Sequence, residues 1–148
     1  MYSDMSKEEL KKFMSKLKNR MQEEFPNFNE PKITARGDCF VWSINKPYTF
    51  NIAFRTSNRA NGNKITTDVY FRDDDYKAFI QQHWTMLKEH FAKEYSVCHS
   101  IKDSYTQIHI ESAAYISKYD MWNDYIEETI RNIHILYEIS ENIVALKK

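Results

Sequence analysis

The sequence predicts an α+β domain: a mostly antiparallel sheet of about five strands packed against two long helices, with an additional N-terminal helix. Three observations predict it. Three stretches repeat apolar residues at steps of three and four, five shorter runs rich in β-branched and aromatic residues read as strands, and turn-forming residues fall between them. A chain of 148 residues with two glycines and three prolines has no room for a flexible linker, so residues 1–148 form one domain. Aromatic residues make up 15% of the chain, enough large apolar surface for a core and far more than a disordered segment carries.

Ser6 and Glu9 have the spacing of a capping box, which satisfies free backbone N–H groups at a helix start. Leu10, Phe13, Met14, Leu17 and Met21 follow at helical spacing, so the first helix is expected over residues 6–24. Pro26, which lacks a backbone donor, stops it. The other face carries Lys7, Lys11, Lys12, Lys18 and Gln22 among Glu8, Glu9, Glu23 and Glu24, and is either a solvated face or one that meets phosphate.

Three strands come next. Phe40, Trp42 and Ile44 alternate in residues 39–44; Tyr48, Phe50, Ile52 and Phe54 in 48–54; Ile65, Thr67, Val69 and Phe71 in 64–71. Alternation implies one buried and one wetter face. Asn45, Lys46 and Pro47 make the first turn, and Asn61-Gly62 supplies the positive φ of a longer hairpin loop. Tyr76, Phe79, Ile80, Trp84, Leu87 and Phe91 then form one apolar stripe on a helix reaching about residue 95. Strands over 97–101 and 105–111 flank a turn at Lys102, Asp103 and Ser104. A last helix starts with Asp120 as N-cap and runs through Trp122, Tyr125, Ile126, Ile130, Ile133 and Tyr137 to about Leu146. Ile135, Leu136, Ile139, Ile143 and Leu146 widen its apolar surface beyond one stripe. This helix either lies between the sheet and the first helix or forms a homodimer seam through Leu136, Ile139, Ile143 and Leu146.

Lysine plus arginine equal aspartate plus glutamate at 21 each, so no global field draws the protein to nucleic acid or an anionic membrane. The first residues lack the layout of a signal peptide, and no apolar run approaches the roughly 20 residues that span a bilayer. A cytoplasmic protein without membrane attachment is expected. Cys39 and Cys98 stand far apart with no CxxC or CxxH neighbour, which gives no zinc clip. With only Gly37 and Gly62, no P-loop, G-x-S-x-G elbow or G-x-G-x-x-G can exist. No cofactor is expected.

Asp73, Asp74 and Asp75 pose the main chemical question, because clustered carboxylates either hold a metal or cap a helix. Capping suffices here, since no D-x-D-x-D-G loop is present. A metal-dependent nuclease could take Asp68 as its first acid, but Glu111 is followed by Ala113 where the acid-x-lysine element needs lysine, and Lys118 is too far along. His99 and His109, with Gln107 and Glu111, share a face of the second hairpin if residues 102–104 make its turn. They are then either a metal pair or ordinary residues of a wet face. Tyr48, Phe50, Phe54, Tyr70 and Phe71 could stack on bases, but their alternation is that of core residues and no RNP-like motif occurs.

The strand ITTDVYF, the acidic joint, the helix YKAFIQQHWTMLKEHF, the strand YTQIHIES and the helix start DMWNDYIEETI occur in an order similar to the bacterial family known as domain of unknown function 4268. The resemblance spans residues 48–144 and, more weakly, the helix before them. It implies a domain that stands alone or follows a nuclease-like domain, with an accessory role and no catalytic residues to carry over.

The expected function is a non-catalytic binding or regulatory module that recognises another protein through its outer sheet face or last helix. A second reading is a nucleic-acid-binding accessory of restriction or phage defence, a phage-encoded inhibitor included, using Lys11, Lys12, Arg55, Arg59 and Lys64. A third is a metal-dependent hydrolase built on Asp68, Asp73 and Glu111, or on the two histidines.

Overall fold

In the computed structural model, which describes residues 7–55, 63–91, 98–101, 105–115 and 117–148, nine main elements follow one another. They are α1 (Lys7–Glu24), β1 (Lys32–Ile33), β2 (Cys39–Ser43), β3 (Tyr48–Arg55), β4 (Lys64–Phe71), α2 (Asp74–Phe91), β5 (Cys98–Ile101), β6 (Thr106–Ala113) and α3 (Trp122–Lys147). A 3-10 turn, Tyr119–Met121, leads into α3. The strands form a single sheet in the order β1-β2-β3-β4-β6-β5, every neighbouring pair antiparallel. The fold is α+β, as expected. Among the described residues no helix is long and apolar enough to cross a membrane.

Strand alternation sets one face of the sheet. Phe50 lies opposite Val69, and Val69 opposite Ile108; Ile52 lies opposite Thr67, and Thr67 opposite Ile110. These side chains are buried against the helices. The last helix is central: α3 touches β4 and β6 as well as α1 and α2. Phe13 of α1 sets its ring edge-on to Trp122 at 5.4 Å and reaches Phe54 at 6.5 Å. Arg20 joins α1 to α3 through two bonds to Glu127, at 2.7 and 3.0 Å, and braces Glu24 at 2.8 Å. Trp42 is enclosed by Phe25, Phe28 and Phe50, and its indole N–H donates to the Asn29 carbonyl. Each such buried side chain stabilises the fold by about 1.5–3 kcal/mol.

Of the two readings of the last helix, this packing matches the one that places it between the sheet and the first helix, and not the homodimer seam. Leu136, Ile139 and Ile143 are 0%, 3% and 0% exposed, because α1 and α2 flank α3 and leave its extra apolar surface facing the chain's own core. Of the four residues, Leu146 alone is exposed. Asp120 is not the N-cap either: it lies in the 3-10 turn, whose Met121 and Trp122 N–H groups bond to the Lys118 and Tyr119 carbonyls. Met121 then precedes α3 with no side-chain cap.

Two turns have backbone reasons. Asn45 takes φ +60° between β2 and β3, a left-handed conformation that asparagine tolerates better than most residues. Gly37, at φ +77°, closes the tight connection from β1 to β2 with its N–H on the Thr34 carbonyl at 2.9 Å. Ser6 of the capping box, the Asn61-Gly62 pair, the end of the middle helix beyond residue 91, Val97 and the turn at Lys102–Ser104 lie outside the described residues.

Candidate functional site

The helices occupy one face of the sheet, yet the opposite face is not simply wet. In β4, Thr66 and Asp68 point away from the helices and are 8% and 2% exposed. Both faces of this central strand are therefore buried, against the simple alternation expected. A cross-strand row passes through the centre: Val41, Asn51, Asp68 and His109 stand opposite one another on β2, β3, β4 and β6. A second row, Ser43, Thr49, Tyr70 and Gln107, lies two residues along.

Asp68 is the focus of these rows. Its Oδ2 accepts the Tyr70 hydroxyl at 3.4 Å, and the Gln107 side chain also hydrogen-bonds the carboxylate. Among the described residues its Oδ1 is buried with no hydrogen-bond partner, as are His109 Nδ1 and Thr66 Oγ1. Burial drives the Asp68 carboxyl above the usual aspartate range, and the opposing pull of Gln107, His109, Arg55 and Tyr70 does not cancel it. The same burial, with Asp68 nearby, pushes the Tyr70 phenol up to about 12. Tyr70 meets Tyr105 edge-on at 4.9 Å, and the Arg72 guanidinium lies 5.6 Å from each ring. A buried carboxylate thus lies beneath a rim of partly exposed aromatic and amide side chains, Asn51, Tyr70, Tyr105 and Gln107.

The acidic joint is a cap. The Asp73 carboxylate accepts the Asp75 N–H at 2.8 Å, and its carbonyl takes the Lys77 N–H at 2.9 Å, the first bond of α2. Glu111, on the outer face of β6, is held by Lys64 at 2.9 Å, so Asp68, Asp73 and Glu111 do not converge. Among the described residues no three histidine, cysteine, aspartate or glutamate side chains could share an ion. Asp68 and His109 offer two donors, short of the four of a structural zinc site.

The histidine pairing is corrected by register. His99 lies opposite Ile108 and Cys98 opposite His109, so His99 and His109 belong to opposite faces. The hairpin is offset by one residue from the pairing that a three-residue turn requires, and such a slip exchanges faces.

The five basic residues proposed for nucleic acid do not form one patch. Arg55 and Lys64 are cross-strand neighbours on the outer face, with Lys64 engaged by Glu111. Lys11 and Lys12 are on α1, on the other side of the sheet, and Arg59 lies outside the described residues. Tyr48, Phe50, Phe54 and Phe71 are core residues, and of the stacking candidates Tyr70 alone is on the outer face. Sequence reasoning missed Asn51 and Gln107 as neighbours of Asp68. The available signal was Asp68 itself, an aspartate inside a central β-branched run where that residue is depleted. Set against models of protein families, curated proteins and solved structures, the chain has no match in any of the three comparisons.

Proposed function

We propose that this protein is a non-catalytic binding module whose recognition surface is the helix-free face of its sheet, and that its partner is another protein. The observation that carries the reading is the rim of partly exposed side chains on that face, Val41, Asn51, Tyr70 and Gln107, around an Asp68 that is 98% buried. An unsatisfied buried polar atom costs about 1–3 kcal/mol, so the free protein holds Asp68 beneath that rim at a cost, and the partner meets the rim itself. Backbone N–H groups or a basic side chain of the partner are the matching chemistry. The reading agrees with the accessory role implied by the resemblance to the bacterial family named above. It is tested by capturing partners from the protein's own cells with the tagged wild type, Asp68→Asn and His109→Ala. The expected result is a stoichiometric protein partner that both folded variants lose; equal capture by the variants, or capture of no protein, overturns the reading.

A further inference from the structure

On the opposite side of the sheet from Asp68, a hollow of about 410 Å³ lies between α1 and the start of α3, lined by Glu8, Lys11, Lys12, Ser15, Lys16 and Trp122. It is independent of the outer-face reading. Of its charged lining residues, three are lysines and one is a glutamate. Lys11, Lys12 and Lys16 make none of the ion pairs found among the described residues. Glu9, at the same end of α1, accepts the Tyr119 hydroxyl.

The sequence of α1 makes this imbalance unfavourable without a ligand. Lys7 and Lys11, and Lys12 and Lys16, are like-charge pairs four residues apart, which repel on a helix surface, while Glu8, three and four residues before Lys11 and Lys12, offsets part of that repulsion. An anion in the hollow removes the repulsion. Lysines are flexible point charges suited to phosphate, and the Ser15 hydroxyl adds a donor. The hollow falls within the size range of small-ligand sites, about 300–1,000 Å³, and holds more than a bare phosphate. Trp122, fixed by Phe13 and Tyr119 at ring distances of 5.4 and 5.2 Å, supplies an apolar wall for the group attached to the phosphate.

We infer that this hollow binds a phosphate ester of nucleotide size, with the phosphate among Lys11, Lys12, Lys16 and Ser15 and the attached group against Trp122. The ester is a free nucleotide or one unit of a single strand. The test is titration of the full chain at low salt with inorganic phosphate, a nucleoside monophosphate and a short single-stranded oligonucleotide. Binding of the monophosphate or the oligonucleotide is expected to be at least tenfold tighter than that of inorganic phosphate. A steep salt dependence with the oligonucleotide identifies the strand as the source, and tighter monophosphate binding identifies the free nucleotide. The double variant Lys12→Gln/Lys16→Gln should bind at least tenfold more weakly yet unfold no more easily than wild type. Glu8→Gln should bind severalfold more tightly. Equal affinity for inorganic phosphate, no binding by any probe, or unchanged affinity in both variants overturns the inference.

Discussion

Asp68 and His109 stand opposite each other on adjacent strands, each with one buried atom, Oδ1 and Nδ1, that has no hydrogen-bond partner among the described residues. The carboxyl titrates above the usual aspartate range because burial disfavours its charge. For an acid raised in the folded state, stability is complete while the group is protonated in both states. It is lost as pH rises from the ordinary aspartate range through the folded value. Asparagine carries no charge at any of these pH values. Asp68→Asn is therefore expected to be more stable than wild type at pH 7 by about 1–3 kcal/mol, with the difference closing as pH falls below the aspartate range. Urea unfolding at several pH values measures this. A variant less stable at neutral pH would show that the carboxylate is satisfied within the fold.

The gain from Asp68→Asn and the predicted loss of partner belong together. A side chain that is a net cost to the free protein but is required for recognition is the usual cost of a functional surface.

Tyr48 and Glu141 link β3 to α3 across the core edge, the phenol donating to Oε2 at 2.6 Å while Lys46 holds Oε1 at 2.9 Å. Burial pushes the Glu141 carboxyl up, but the hydroxyl and the ammonium together bring it below the usual glutamate range. A carboxyl lowered in the folded state contributes stability that is present above its unfolded pKa and lost as pH falls through the folded value. Tyr48→Phe should cost about 1 kcal/mol at pH 7 and progressively less in acid. Denaturation curves of both proteins at neutral and acid pH check the sign; a penalty that grows in acid would contradict it.

The Asp73 cap can be separated from its neighbours. Asp73→Ala removes the acceptor of the Asp75 N–H and should destabilise the protein by about 1 kcal/mol, measured by denaturant unfolding. Asp74 and Asp75 act on the start of α2 through the helix dipole, so their alanine variants should lose about 0.3–1 kcal/mol each, less in high salt. Equal losses at all three positions would refute a specific cap at Asp73.

The fold was legible wherever one face of an element meets the core. Phe40 and Trp42, or Phe13 and Leu17, keep their period because every one of them is buried on the same side. β1 was not legible, since the two residues Lys32 and Ile33 carry no period and pair only because the tight turn at Gly37 returns the chain. The placement of His99 failed for a different reason: composition marks a hairpin but not the loop length that sets its register. The outer face was half legible. Asp68 stood out by type, but its burial beside Gln107 and His109 follows from the pairing of β4 with β6, which skips β5 in sequence. Lys11, Lys12 and Lys16 share a face of α1 by helical spacing alone, whereas Trp122 joins them only because α3 packs it against Phe13.

The four apolar residues at the end of α3 give a final contrast, because identical chemistry occupies two environments. Leu136 is fully buried, so Leu136→Ala loses transfer energy and leaves a cavity, a penalty of about 2–5 kcal/mol. Leu146 is 51% exposed, so Leu146→Ser should change stability by no more than about 0.5 kcal/mol. A homodimer seam predicts otherwise, since Leu146 would then be covered in the assembly and the variant would lower both sedimentation coefficient and concentration-dependent stability. The core placement of Leu136, Ile139 and Ile143 leaves too little apolar surface on α3 for such a seam. Sedimentation velocity of wild type and Leu146→Ser is therefore expected to give the same species at every concentration, and a shift in the variant alone would restore the seam.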